Sequence, residues 1–146
     1  MRMLTKNKQK MFYALYVESL VIYERDEDGN LIIDYVDENG KEWYREQGSF
    51  DDVYSKPIEF MGNISSKLNE LHARAYGVDS SSIYSEICVK KGSVPLKYNA
   101  KIWRENEIVW IDEELGIPDE SSADYTVKGI MTEGLTEDWY LLQRNN

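Results

Sequence analysis

Short apolar runs alternating with polar residues, set between Asx- and Gly-rich turns, constrain this chain more than any other feature. Ile83, Ser85, Ile87 and Val89 alternate with Tyr84, Glu86, Cys88 and Lys90, the two-residue period of a strand with one buried face. The same period places Ile58, Phe60, Gly62 and Ile64 on one face of residues 57–65, with Glu59, Met61, Asn63 and Ser65 on the other. Pro57 opens that strand, where its missing N–H costs no ladder bond. Asp37-Glu38-Asn39-Gly40 lies between the runs 31–36 and 41–44, and Asn-Gly in that setting is the strongest short hairpin signal. Only residues 67–76 switch to helical spacing, with Leu68, Leu71, Ala75 and Tyr76 in period and Gly77 as the closing left-handed residue.

Taken in order, residues 1–11 read as a loose basic arm and residues 12–146 as a single β-barrel domain. Residues 12–44 read as a β-meander with acidic turn tips, one of them Asp26-Glu27-Asp28-Gly29, and residues 46–52 as a loop. Lys101-Ile102-Trp103 and the run 108–111 flank a polar step and predict a hairpin or two short segments. Asp112 to Ser122 reads as the least structured part, followed by strands over 123–131 and 139–143. The expected fold is mainly β, a small β-barrel or sandwich of about seven to nine short strands with one short α-helix.

Charge narrows the functional classes. The chain carries 17 basic and 27 acidic residues, a net −10, which disfavours a nucleic-acid grip. The charge is segregated: residues 1–11 hold four bases and no acid, 18–52 hold 12 acids against 3 bases, 53–104 hold 8 bases against 4 acids, and 105–138 hold 11 acids and one base. Such blocks suit docking onto copies or neighbours through complementary patches. No apolar run is long enough for a membrane span, and the single Cys88 leaves no intrachain disulfide. The N-terminal run lacks the cleavage pattern of a signal peptide.

Signatures of chemistry are sparse. There is no CxxC, HExxH or glycine-rich phosphate loop, and the acidic turns lack EF-hand spacing, so no cofactor, metal or catalytic residue is expected. His72, the only histidine, reads as a surface or capping residue; pairing with Cys88 would join two singletons without a flanking signature. Each of Trp43, Trp103, Trp110 and Trp139 is expected to pack in the core, because base stacking would need basic company that only Trp103 has.

The order of several segments resembles the head-completion proteins (head–tail connectors or stoppers) of long-tailed phages of Gram-positive bacteria. The segments are Tyr54-Ser55-Lys56-Pro57-Ile58-Glu59-Phe60-Met61-Gly62-Asn63-Ile64-Ser65, Arg74-Ala75-Tyr76-Gly77, Lys101-Ile102-Trp103, Ala123-Asp124-Tyr125-Thr126-Val127 and Trp139-Tyr140-Leu141-Leu142. The resemblance implies a non-enzymatic virion protein, assembled in the bacterial cytoplasm, that forms a sixfold or twelvefold ring. Such a ring sits between portal or adaptor and tail, retains phage DNA and lets it pass with only transient proximity. It involves no membrane. Under that reading, Arg2, Lys6, Lys8, Lys10, Tyr54, Phe60, Arg74, Tyr76 and Trp103 are the expected subunit and partner contacts. Asp26, Glu27, Asp28, Asp37, Glu38, Glu46, Asp51 and Asp52 are the expected channel-facing acids, repelling DNA phosphates. The alternatives are a tail-completion or neck protein, and a small acidic DNA mimic that inhibits a host DNA-binding protein.

Overall fold

The computed structural model describes residues 8–65, 68–79 and 83–145. The chain divides into two compact units: Val17–Val53 forms one, and the segments on either side of it form the other.

The larger unit is built on a closed antiparallel barrel. Its strands are β1 (Gln9–Ala14), β6 (Ile58–Ser65), β7 (Tyr84–Lys90), β12 (Glu137–Arg144), β11 (Tyr125–Met131) and β8 (Lys101–Trp103), in that order around the wall. The expected barrel with one short helix is therefore observed. The period-two pattern explains the wall. Met11, Tyr13, Phe60, Ile87, Val89, Ile102, Val127, Tyr140 and Leu142 point inward and form one core. Val94, Leu96 and Ala100, from the connection between β7 and β8, join the same core. Tyr140 Oη donates to the Val94 carbonyl at 3.2 Å, tying that connection to the wall. Closure leaves the barrel no open edge.

Two further clusters lie against this wall. Helix α1 (Glu70–Tyr76) starts at Asn69, whose side chain accepts the His72 N–H at 2.7 Å, and stops at Gly77 with φ 77°. Leu68 and Ala73 pack with Leu141, with Tyr76, Val78 and Tyr84 at the border. A second cluster holds Ala14, Tyr54, Trp103 and Ala123 together with Phe12 and Ile108. It is flanked by the small sheet of β9 (Trp110–Asp112) and β10 (Ile117–Pro118) and by a 3-10 turn over Glu120–Ser122.

The smaller unit is a pair of ribbons. β2 (Tyr16–Tyr23) pairs with β5 (Glu46–Tyr54), and β3 (Ile33–Val36) pairs with β4 (Glu42–Tyr44). The Asp37–Gly40 turn closes the second hairpin, with Gly40 at φ 81° and Asp37 Oδ1 accepting the N–H groups of Asn39 and Lys41 at 2.9 Å each.

Several expectations are corrected. Residues 46–52 form most of strand β5 rather than a loop. Both faces of that ribbon meet water, so it imposes no apolar alternation for a sequence reading to find. Residues 12–44 are not one meander: β1 enters the barrel, while β2 pairs with β5. Of the two readings of the step after Trp103, two short segments is the one observed: β8 and β9 lie in different sheets, and Asp124 Oδ2 accepts the N–H groups of Arg104, Glu105 and Asn106 at 2.7–3.0 Å and turns the chain away from β8. Asp112 to Ser122 is ordered, with Ile117 and Pro118 fully buried. Twelve strands are present among the described residues, more than expected, because the ribbons and the β9–β10 pair add short exposed strands to the barrel.

A bulge between Val127 and Gly129 turns Gly129 outward, beneath the helix. A Cβ there would lie 2.6 Å from Tyr76 Cδ1 and 3.0 Å from Leu141 Cβ. Gly129→Ala is therefore expected to cost about 1–3 kcal/mol by overpacking. The urea midpoint reads this loss, and an unchanged midpoint would mean that α1 is not seated on Gly129.

Candidate functional site: an acidic ribbon and a buried polar cluster

The eight acids expected to face a channel all belong to the Val17–Val53 unit. Asp26, Glu27 and Asp28 form the exposed tip between β2 and β3, where Asp26 Oδ1 accepts the N–H groups of Asp28 and Asn30 at 3.0 and 2.9 Å. Asp37 and Glu38 form the β3–β4 tip, and Glu46, Asp51 and Asp52 lie exposed along β5. Asp37 Oδ2 accepts the Trp43 indole N–H at 3.1 Å. This bond, helped by the backbone bonds from Lys41 and Asn39, holds the Asp37 carboxyl below the usual range.

The same unit carries aromatic and aliphatic side chains in water. Tyr35 stacks on Trp43 with ring centroids 6.0 Å apart and planes 11° from parallel, and Lys41 Nζ stands 4.2 Å from the Trp43 ring. Tyr23, Ile33 and Val36 are exposed as well. Of residues 17–53 only Val53 is buried. Trp43, at 42% exposure, thus departs from the core placement expected for each tryptophan. The alternation around it is that of a hairpin, but the hairpin has no second layer of its own. Trp103 is buried as expected, while Trp110 and Trp139 are partly buried.

The residues expected as partner contacts separate by burial. Tyr54, Phe60 and Trp103 are 5%, 7% and 1% exposed and are enclosed within the subunit itself, where they hold the scaffold. Phe60 fills an inward slot of the barrel wall, whereas Tyr54 and Trp103 pack with Ala14 and Ala123 in the cluster against the outside of that wall, and Tyr54 also donates its hydroxyl to the Asn99 carbonyl at 2.9 Å. Tyr76 is turned toward the barrel, whereas Arg74 is exposed in the last turn of α1. Lys8 and Lys10 lie just before and on β1; Arg2 and Lys6 lie outside the described residues.

Beneath α1 is a polar cluster that sequence reasoning did not assemble. The buried Glu86 carboxylate, on the outer face of β7, meets His72 Nδ1 at 2.6 Å and accepts the Tyr76 hydroxyl at 2.8 Å. The His72 ring also stands edge-on to Trp139 at 5.1 Å. His72 is therefore a partnered helix-docking residue, and Asn69 supplies the cap. Nearby Cys88 donates its S–H to Glu137 Oε2 at 3.3 Å. Burial, the bond to Glu137 and the charges of Glu137 and Glu86 push this thiol up to about 12, so at neutral pH it is not the thiolate that a nucleophile requires. Burial and the neighbouring Glu86 also push the Tyr76 phenol strongly up. No group of three or more His, Cys, Asp or Glu suited to a metal ion occurs among the described residues.

An alkaline signature follows. Burial, then the charges of Glu120 and Tyr16, raises the Tyr54 phenol to about 12. Cys88, Tyr54 and Tyr76 all keep their protons when folded at a pH where the unfolded chain releases them. Their stabilisation is complete below about pH 9 and is lost as pH rises toward 12. The urea midpoint should fall steadily above about pH 9, and less steeply in Cys88→Ser. A midpoint flat up to pH 11 would contradict these burials.

The fold and surface define a class: a small closed β-barrel bearing one docked helix and an acidic, aromatic β-ribbon unit. Compared with known proteins, the chain matches no family model, no curated protein and no solved structure. No helix among the described residues is long and apolar enough to cross a membrane.

Proposed function

We propose that this chain is a structural head–tail connector of a long-tailed phage: the head-closure (stopper) ring between portal or adaptor and tail. It would assemble with sixfold or twelvefold symmetry in the host cytoplasm and persist in the virion. The observation that carries this reading is the Val17–Val53 unit, where 12 acids against 3 bases share a surface with exposed aromatics and only one residue is buried. A strongly acidic lining repels phosphates, so DNA passes without adhering. The exposed apolar side chains call for a protein neighbour, as ring assembly would provide. The order of the segments resembling head-completion proteins supports the same assignment. The cluster under α1 supports a structural rather than catalytic role, since His72, Glu86 and Cys88 are each engaged in seating helix and strand.

Electron-microscope images of the purified protein, with and without a portal or adaptor ring, test the reading. Annular particles with a central opening are expected. A monomer that instead binds a host nuclease or repressor tightly would overturn it in favour of a DNA mimic.

A further inference from the structure

We propose that the β3–β4 tip of one copy, through Tyr35 and Trp43, docks on the outer face of the β1–β6 pair of a second copy, against Lys8, Lys10 and Met61. This contact deepens the ring reading, and only its closure into a ring rests on that reading.

The tip needs a cover. Tyr35 and Trp43, stacked on one face, are 54% and 42% exposed, on a unit whose single buried residue is Val53. Two-stranded ribbons are marginal alone in water, and a contiguous exposed apolar patch marks an interaction site. The cover must also be cationic, because the unit is net −9. DNA is excluded by sign.

The barrel of this same chain offers the complement. In the β1–β6 register Met11 lies opposite Phe60, and both are buried in the core. Alternation therefore turns Lys10 and its partner Met61 outward, both exposed, with Met61 at 47%. Phe12, partly buried on the same outer side, lies under Lys10 Nζ at 5.8 Å. Lys8 shares that parity, and Glu59 is the one acid on this face. Among the other cations of the barrel, Lys91 is engaged by Asp138 and the Thr132 carbonyl, Lys101 by Thr126, and Arg104 by Gln9 and Glu105, while Lys90, Lys128 and Arg144 are exposed on β7, β11 and β12. A flexible methionine beside two lysines suits an acidic ribbon presenting a tyrosine and a tryptophan.

Tip and face are different patches, so the contact is head-to-tail. Repetition gives a ring if the rotation closes and an open chain if it does not.

Sedimentation of two variants, alone and mixed, tests this. Wild type at about 0.1 mM and low salt should sediment as species larger than a dimer, and should dissociate as salt rises. Tyr35→Ser with Trp43→Ser removes the tip, and Lys8→Glu with Lys10→Glu reverses the face. Each variant alone should associate at least tenfold more weakly. Mixed in equal amounts they should form dimers and nothing larger, since the intact face of the first meets the intact tip of the second. A tip that misfolds in the first variant leaves this expectation unchanged. Wild-type-like assembly by either variant overturns the proposal, as does self-dimerisation of the face variant, which would mean tip against tip. Open chains or dimers from wild type, with the same variant pattern, would sink the ring reading and leave this contact standing. A wild type that is monomeric throughout would overturn both.

Discussion

Replacing Trp103 by alanine is expected to remove about 3–5 kcal/mol of stability. Trp103 lies on the shortest wall strand, β8, and is 1% exposed among Ala14, Tyr54, Ala123, Phe12 and Ile108. Its indole N–H donates to Ser122 Oγ at 2.9 Å. The same hydroxyl donates to the Asp119 carbonyl at 2.7 Å and accepts the Val109 N–H at 3.2 Å. Truncation therefore opens a cavity and unpins the 3-10 turn together with the approach to β9. Both the lost transfer energy and the cavity act in the same direction. Against a total of roughly 5–15 kcal/mol, such a loss takes away a large fraction of stability. Urea unfolding should show the midpoint shift with the slope kept, and Trp103→Phe should retain most of the packing. A loss below about 1 kcal/mol for the alanine variant would mean that the cluster around Trp103 is not packed as described.

Glu86→Ala is expected to cost about 3 kcal/mol. The carboxylate is 4% exposed and is the shared acceptor for Tyr76 Oη and the partner of His72 Nδ1. Its removal leaves the Tyr76 hydroxyl facing the barrel without its acceptor, and that asymmetry sets the size of the effect. The His72 side chain, at 29% exposure, can turn to water, which keeps the cost at the low end for a broken buried pair. Glu86→Gln keeps an acceptor and should lose less. Tyr76→Phe combined with Glu86→Ala should cost less than the two singles added together, with a coupling of about 0.5–3 kcal/mol. Amide exchange should show α1 loosening before the barrel strands. Additive losses with α1 protection unchanged would contradict a helix held by Glu86.

The elements that line the barrel core were legible in the sequence. β6 and β7 alternate in sequence because one side of each faces the barrel core, β12 shows as a short apolar run, and α1 announced its end through Gly77. The β3–β4 hairpin was legible from its Asn39-Gly40 turn alone, independent of burial. β5 was not, since Glu46-Gln47-Gly48-Ser49-Phe50-Asp51-Asp52 has the composition of a loop and is held as a strand by ladder pairing with β2. The step from β8 to β9 left a hairpin and two short segments open, because the group that decides between them, Asp124, lies 18–20 residues downstream.

The candidate surfaces followed the same division. The block of acids was visible as charge, and the fold placed it on one unit. Tyr35 and Trp43 were hidden among core-like aromatics, because alternation marks a strand's faces without saying whether a second layer covers either. The partner of His72 is 14 residues away on another element. One signal could have found it: His72 and Tyr76 are one helical turn apart, facing a strand whose outward slots hold Glu86 and Cys88. Sequence reasoning placed Tyr54, Phe60 and Trp103 at an interface, where burial within the subunit assigns them to the scaffold.

The central claim is a ring connector, and the mass of the assembled species tests it most directly. Native mass measurement of the protein, alone and captured on a portal or adaptor ring, should give six or twelve copies of the 17.1 kDa chain. A single copy under both conditions, bound one to one by a host DNA-binding protein, would contradict the account.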